Sequence, residues 1–163
     1  MARLLAAGIT VLVPWGDNSR YDLVAQVDMA FLRLQCKTGR LRNGRITFLT
    51  CGVGRDGNRY RYQPGEIDYY AICCLETGGV YLVPYSEAGP SAEPYLRVDP
   101  PKPGSTGGRQ MARIRWAARY AADRVIDGWV RTGGHFAPLD WSVPILTNAE
   151  SVDNGPNVGR QRV

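Results

Sequence analysis

Asp22, Gln35 and Lys37 are the residues of this sequence whose types and spacing are suited to chemistry. Two β-prone stretches, Tyr21 to Val27 and Phe31 to Lys37, flank the short turn Asp28-Met29-Ala30 and predict a hairpin. Alternate side chains of a strand share a face. Leu32, Leu34 and Cys36 therefore form an apolar face, and Arg33, Gln35 and Lys37 project from the other. A hairpin closing near residue 29 brings Asp22 within reach of Gln35 and Lys37. That trio suits hydrolysis of a phosphodiester, for which a divalent cation polarises the phosphate and makes water a better nucleophile. Asp22 can supply an anionic oxygen ligand, and Gln35 and the backbone carbonyl of Cys36 two neutral ones. Magnesium keeps several waters and needs only one or two carboxylates, so a sparse site is reasonable. A lysine two residues on can orient or deprotonate water and stabilise charge at phosphorus.

The elements that must position these residues follow from local pattern. Ala2 to Ala7 reads as the last turns of a helix closed by Gly8, and Ile9 to Val13 as a strand stopped by Pro14. A turn-rich loop runs from Trp15 to Arg20. Thr38 to Arg45 reads as a basic, glycine-punctuated loop carrying Arg40, Arg42 and Arg45. Ile46 to Cys51, Ile67 to Leu75, Val80 to Pro84 and Tyr95 to Val98 are further strands, the last at an edge. Residues 86–94 read as loop and Pro100 to Gly108 as a linker. The spacing of Met111, Ile114, Ala118, Ala121 and Val125 predicts one long helix from Arg109 to Asp127. Asn148 to Val163 reads as a frayed end. The chain thus divides into a domain over residues 1–130 and a poorly ordered C-terminal extension over 131–163.

A length of 163 residues favours one domain with an ordinary core. Hydrophobic residues at 44% and charged residues at 21% exclude wholesale disorder. No apolar run is long enough to span a bilayer, and no secretory signal is evident, so no membrane partner is expected. The net charge of +5 is unevenly distributed: residues 1–62 carry +6, residues 63–99 carry −5 and residues 100–163 carry +4. The basic excess surrounds the candidate site and points to an anionic partner. Cys36, Cys51, Cys73 and Cys74 form no CxxC pair, and the single histidine, His135, is remote, so zinc ligation is excluded. All four read as reduced core thiols, which suits a cytoplasmic protein.

Several ordered segments resemble the PD-(D/E)XK nuclease superfamily, in particular the group I intron-associated homing endonucleases. They are Pro14-Trp15-Gly16-Asp17-Asn18-Ser19-Arg20-Tyr21-Asp22-Leu23, Gln35-Cys36-Lys37-Thr38-Gly39-Arg40, Gly65-Glu66-Ile67-Asp68-Tyr69-Tyr70-Ala71 and Val80-Tyr81-Leu82-Val83-Pro84. The resemblance implies an α/β single domain with a mixed central β-sheet flanked by helices, a restriction-endonuclease-like core. It implies magnesium-dependent cutting of double-stranded DNA by a homo-oligomer, a dimer or tetramer, associated with the nucleoid. It carries the metal-binding role to Asp22, the second-ligand role to Gln35 and the catalytic role to Lys37.

Two departures bear on these implications. The superfamily usually has Glu where Gln35 stands, although the intron-associated branch resembles this chain in using Gln. The family also tends to place an acidic residue on its first helix, and residues 1–7 contain none. Either that helix is truncated, or the site works without the carboxylate, or the protein binds DNA without cutting it. A catalytically inactive DNA-binding module and a Holliday-junction resolvase are accordingly the alternatives to a duplex endonuclease. Ser19 and Arg20 either contact phosphate or shape their turn. Arg40, Arg42 and Arg45 follow Lys37 closely enough for phosphate contact. Asp68 is either an auxiliary ligand or half of a structural ion pair. The arginines of residues 109–119 read as a solvated face, Tyr60, Tyr62, Tyr69 and Tyr70 as core or sheet surface, and His135 as a loop residue.

Overall fold

Thirteen residues, Ala30–Arg42, form β3, the strand around which the rest of the protein is assembled. The computed structural model describes residues 1–16, 19–54, 56–89, 91–102 and 113–134. Along its length β3 pairs with β2 (Leu23–Val27) antiparallel, with β7 (Tyr69–Cys74) parallel and with β4 (Arg45–Thr47) antiparallel. β1 (Thr10–Leu12) adds to β2, β8 (Gly79–Pro84) to β7 and β9 (Tyr95–Arg97) to β4. These seven strands make a mixed, largely antiparallel sheet among the described residues. β5 (Cys51–Val53) and β6 (Arg59–Arg61) form a separate two-stranded ribbon. The helices are α1 (Ala2–Ala6), the single turn α2 (Tyr85–Ala88) and α3 (Ala122–Thr132). The expected α/β single domain with a mixed sheet is therefore present.

Period-two alternation divides the core between the two faces of the sheet. Leu23, Ala25 and Val27 of β2, Leu34 of β3 and Tyr69 of β7 pack with Leu4 of α1 and with Ala122, Val125, Ile126 and Trp129 of α3. Those four α3 residues recur at helical spacing and form the buried stripe. Trp129 meets Tyr69 edge-on at 4.9 Å, and Gly133, left-handed at φ 60°, closes the helix. On the opposite face Tyr70, Ile72 and Cys74 of β7 pack with Ile46, Phe48, Tyr62 and Leu96. Side chains at odd and even positions of β7 thus serve different clusters, as a strand covered on both faces requires.

The segment Thr38 to Arg45, expected to be a loop, is instead the β3–β4 hairpin. Its turn is Asn43-Gly44, with φ of 50° and 68°. Positive φ at both central residues gives the type I′ turn whose twist matches that of paired strands. Gly39 is a point of close packing within the core, because a Cβ there would lie 2.7 Å from Ile46 Cγ2 and 2.8 Å from Ile72 Cγ2. The expected strand Ile46 to Cys51 is divided. Phe48 and Thr50 donate their backbone N–H groups to the carbonyls of Pro94 and Ala92 in continuation of the β4–β9 register, but Pro94 has no N–H to return a bond, and the regular ladder stops at Thr47.

The long helix expected from Arg109 to Asp127 is not formed as predicted. Residues 103–112, with Arg109 and Met111, lie outside the described residues. Trp116 is extended and bridges Arg97, Ala117–Tyr120 form a short 3₁₀ helix, and Ala121 bridges Tyr81. Pairing with the edges of β9 and β8 holds Trp116 and Ala121 at ψ of 128° and 132°, which a helix cannot include. The α-helix begins only at Ala122 and runs to Thr132. Ala118, assigned to the buried stripe, is exposed. His135 and the frayed end predicted for Asn148 to Val163 also lie outside the described residues.

All four cysteines are free thiols, but only Cys51 and Cys74 belong to the core. Cys36 and Cys73 are exposed in a groove of about 390 Å³ between α1, the sheet and α3, where Leu34, Ala71, Ala122 and Ile126 also line the walls. The helices do not close over that part of the sheet, so an apolar strand position remains open there. No helix among the described residues is long and apolar enough to cross a membrane.

Candidate active site

Asp22 immediately precedes β2, and its backbone N–H donates to the Leu34 carbonyl at 2.9 Å. Because Leu23 is in register with Leu34, the ladder ends where Asp22 comes abreast of Gln35. Oδ2 of Asp22 accepts from Gln35 Nε2 at 2.5 Å and from the Cys36 backbone N–H at 2.7 Å. The N–H and C=O of one strand residue leave at the same edge. The Cys36 carbonyl is therefore directed to the Asp22 side, past the end of the β2 ladder. Asp22, Gln35 and the Cys36 backbone converge at one corner of the sheet.

Lys37 projects to the face holding Tyr62 and Tyr70. Its Nζ donates to the Cys51 carbonyl at 2.8 Å and to the Tyr62 hydroxyl at 3.2 Å. It lies 5.1 Å from the centre of the Tyr62 ring. Burial lowers the Lys37 ammonium below its ordinary pKa, partly opposed by the Cys51 and Asp22 sites. For the Cys36 thiol, partial burial is the larger cause and the Asp22 charge the smaller, and both raise the pKa.

The donor set at this corner is one carboxylate, one amide oxygen and one backbone carbonyl. All are hard oxygen donors, which suit magnesium, an ion that retains several waters. Among the described residues no group of three or more His, Cys, Asp or Glu is assembled to hold a metal. A cation at Asp22 would thus have one protein carboxylate, and Gln35 would turn its amide so that Oε1 replaces Nε2. The residues present fit that ion and not zinc.

The basic residues predicted near the site fall into two groups. Ser19 and Arg20 are exposed just ahead of Asp22. Arg20 lies over the Tyr60 ring at 4.2 Å and pairs with Glu66 at 3.4 Å. Arg40, Arg42 and Arg45 are exposed on the β3–β4 hairpin. Arg40 is 4.0 Å from Glu76, and Arg45 lies 4.7 Å over Tyr95. Asp68 is engaged elsewhere, accepting from Arg33 through the backbone N–H at 2.7 Å, Nε at 2.9 Å and the terminal nitrogen at 3.0 Å. The other Arg33 terminal nitrogen bonds the Gly65 carbonyl. Of its two readings, the ion pair is the one formed.

Sequence reasoning missed the groups that hold Lys37. Tyr62 read as core, which it is by burial, but its hydroxyl reaches the lysine. The Cys51 carbonyl carries no side-chain signal at all. The alternation in Arg59-Tyr60-Arg61-Tyr62 was the available clue, because it places both tyrosines on one face of β6 and its extension.

Comparison with known proteins agrees with this architecture. No curated protein matches the sequence. A bacterial homing endonuclease, I-Ssp6803I, is similar in structure with a TM-score of 0.56 at 20% sequence identity, over 81% of this chain and 86% of that one. At that identity the likeness concerns the fold, which is restriction-endonuclease-like. The sequence pattern of a PD-(D/E)XK endonuclease family matches residues 1–123, most of the chain and all of the corner built by Asp22, Gln35 and Lys37. This chain belongs to the PD-(D/E)XK endonuclease family, a family of phosphodiester hydrolases.

Proposed function

We propose that the protein is a magnesium-dependent endonuclease that hydrolyses phosphodiester bonds of duplex DNA in the manner of a homing endonuclease. The observation that carries this reading is the convergence of the Asp22 carboxylate, the Gln35 amide and the Cys36 backbone beside Lys37. Magnesium bound there would polarise the phosphate and lower the pKa of water. Asp22 supplies the one anionic ligand, and Gln35 Oε1 and the Cys36 carbonyl supply neutral ones. Lys37 projects from the same face of β3 as Gln35, two residues further along the strand. Its lowered pKa increases the share of neutral amine available to accept a proton from attacking water, and the resulting ammonium faces the charge that grows on phosphate. Arg20 precedes this corner, and the arginines of the β3–β4 hairpin extend beyond Lys37. Together with Ser19 they form the surface that would follow a phosphate backbone.

One such corner per chain cuts one strand at a time, so scission of both strands calls for at least two copies. The proposed assembly is accordingly a homo-oligomer, a dimer or tetramer, and a DNA substrate goes with a place at the nucleoid in the cytoplasm.

The test is cleavage of a supercoiled plasmid, a linear duplex and a four-way junction, each with magnesium and with chelator. Magnesium-dependent nicking and linearisation are expected, with activity lost in Asp22→Ala and Lys37→Ala. Full activity in either variant would sink the site assignment. Salt-sensitive DNA binding without cutting would identify a binding module, and preferential cutting of the junction would identify a resolvase.

A further inference from the structure

The lysine at the candidate site is held by a ribbon that no part of the reading above uses. Cys51 opens β5, and Tyr62 directly follows β6, so both groups that accept from Lys37 Nζ stand at the base of the β5–β6 ribbon. Tyr62 is itself tightly fixed. It is 4% exposed, its ring meets Tyr60 and Tyr70 edge-on at 5.5 and 5.9 Å, and its carbonyl accepts from the Tyr85 hydroxyl at 2.9 Å. Tyr60 in turn carries Arg20 over its ring. A long flexible side chain has many rotamers, and two acceptors on a rigid base remove most of them.

We propose that Tyr62 is a positioning residue for Lys37, its hydroxyl and the Cys51 carbonyl together setting where the lysine nitrogen stands relative to the scissile phosphate. This rests on the nuclease reading only for its catalytic consequence, since the contact itself is independent of any reaction. The Tyr62 hydroxyl meets Lys37 and the Tyr62 carbonyl meets Tyr85, so the bonds that hold this residue run to the lysine and to the core. Loss of its hydroxyl should therefore slow turnover and leave DNA affinity alone.

The experiment compares wild type with Tyr62→Phe, which keeps the ring and removes the acceptor. Tyr70→Phe is the control, because it removes another buried hydroxyl of the same cluster, bonded to the Thr50 carbonyl at 3.2 Å and not to Lys37. The sequence has only two lysines, Lys37 and Lys102, so a protein labelled with ¹⁵N at lysine gives readily separated ammonium signals. A hydrogen-bonded, shielded Lys37 ammonium is expected to be visible in wild type and in Tyr70→Phe, and to broaden away in Tyr62→Phe. Cleavage with magnesium should show about tenfold lower kcat for Tyr62→Phe at unchanged KM, the scale of one lost hydrogen bond to a charged group. An unchanged Lys37 signal in Tyr62→Phe overturns the positioning role, whether or not the protein cuts. Wild-type kcat in that variant, or a change in KM alone, overturns it too. A Tyr62-dependent signal in a wild-type protein that never cuts DNA instead removes the nuclease reading and the catalytic role built on it.

Discussion

Gln35 donates its side-chain amide to Asp22 Oδ2 at 2.5 Å, so the two residues assigned to a cation hold each other directly. A glutamate at position 35 would set two carboxylates against each other, with one driven to bind a proton. Gln35→Glu is expected to destabilise the metal-free protein by at most about 1 kcal/mol, because the pair is exposed to solvent. Magnesium should restore that loss, since a second anionic ligand tightens binding and binding stabilises the folded state. Thermal unfolding in chelator and in magnesium measures both effects, and the magnesium-dependent rise in Tm should exceed that of wild type.

Lys37→Met keeps an apolar stem of similar length and removes the ammonium. Cleavage should fall by about 10²- to 10⁴-fold, the range for a positioned proton-transfer group. DNA binding measured in calcium or chelator should stay within a few-fold of wild type. Strong loss of binding would make Lys37 a DNA contact and not a catalytic group.

Arg42 lies on the β3–β4 hairpin beside the Asn43-Gly44 turn and is exposed. Arg42→Ala should weaken DNA binding about equally for all sequences. The slope of log K against log salt should become shallower by about 0.9, as expected for one lost phosphate contact. Titrations at several salt concentrations read both quantities, and an unchanged slope would take the hairpin off the DNA.

Asp68→Ala tests the ion pair against a metal role. Arg33 would lose three hydrogen bonds from a half-buried site, and a cost of about 1–3 kcal/mol is expected from chemical denaturation. Magnesium affinity should be unchanged in calorimetry of the folded variant.

The pH dependence of stability should be dominated at the alkaline end by tyrosines. Burial raises the phenols of Tyr62, Tyr70 and Tyr120 above their ordinary value of 10.0. Below that value these groups are neutral in both folded and unfolded chains, and their burial carries no ionisation cost. As pH climbs past it, the unfolded chain ionises first and gains free energy, so stability falls. Chemical denaturation from pH 7 to 11 should show little tyrosine contribution up to about pH 10 and a steep loss beyond it. Tyr120→Phe should blunt that loss, and an unaltered alkaline limb would mean that Tyr120 ionises freely in the folded state.

Much of the candidate site was legible because it is local. Tyr21 to Val27 and Phe31 to Lys37 alternate with period two around a short turn, and strand geometry alone brings Asp22 beside Gln35. The same reasoning failed between Thr38 and Arg45. Glycines and arginines suggested a loop there, but Asn43-Gly44 is itself a hairpin turn, and Gly39 is needed for close packing against Ile46 and Ile72. It failed again before Ala122, where helical spacing in the sequence is overruled by pairing of Trp116 and Ala121 with distant strand edges.

The sequence by itself determined the residue types, the β2–β3 hairpin and the side of β3 on which each side chain lies. Those depend on contacts between near neighbours and on the two-residue period of a strand. Only the tertiary structure decided what Lys37 touches, that Asp68 serves Arg33, and that Cys36 and Cys73 open onto a groove. Each depends on where a chain segment many residues away is carried by the sheet. Tyr62, 25 residues from Lys37, reaches it only because the ribbon base is packed on the same face.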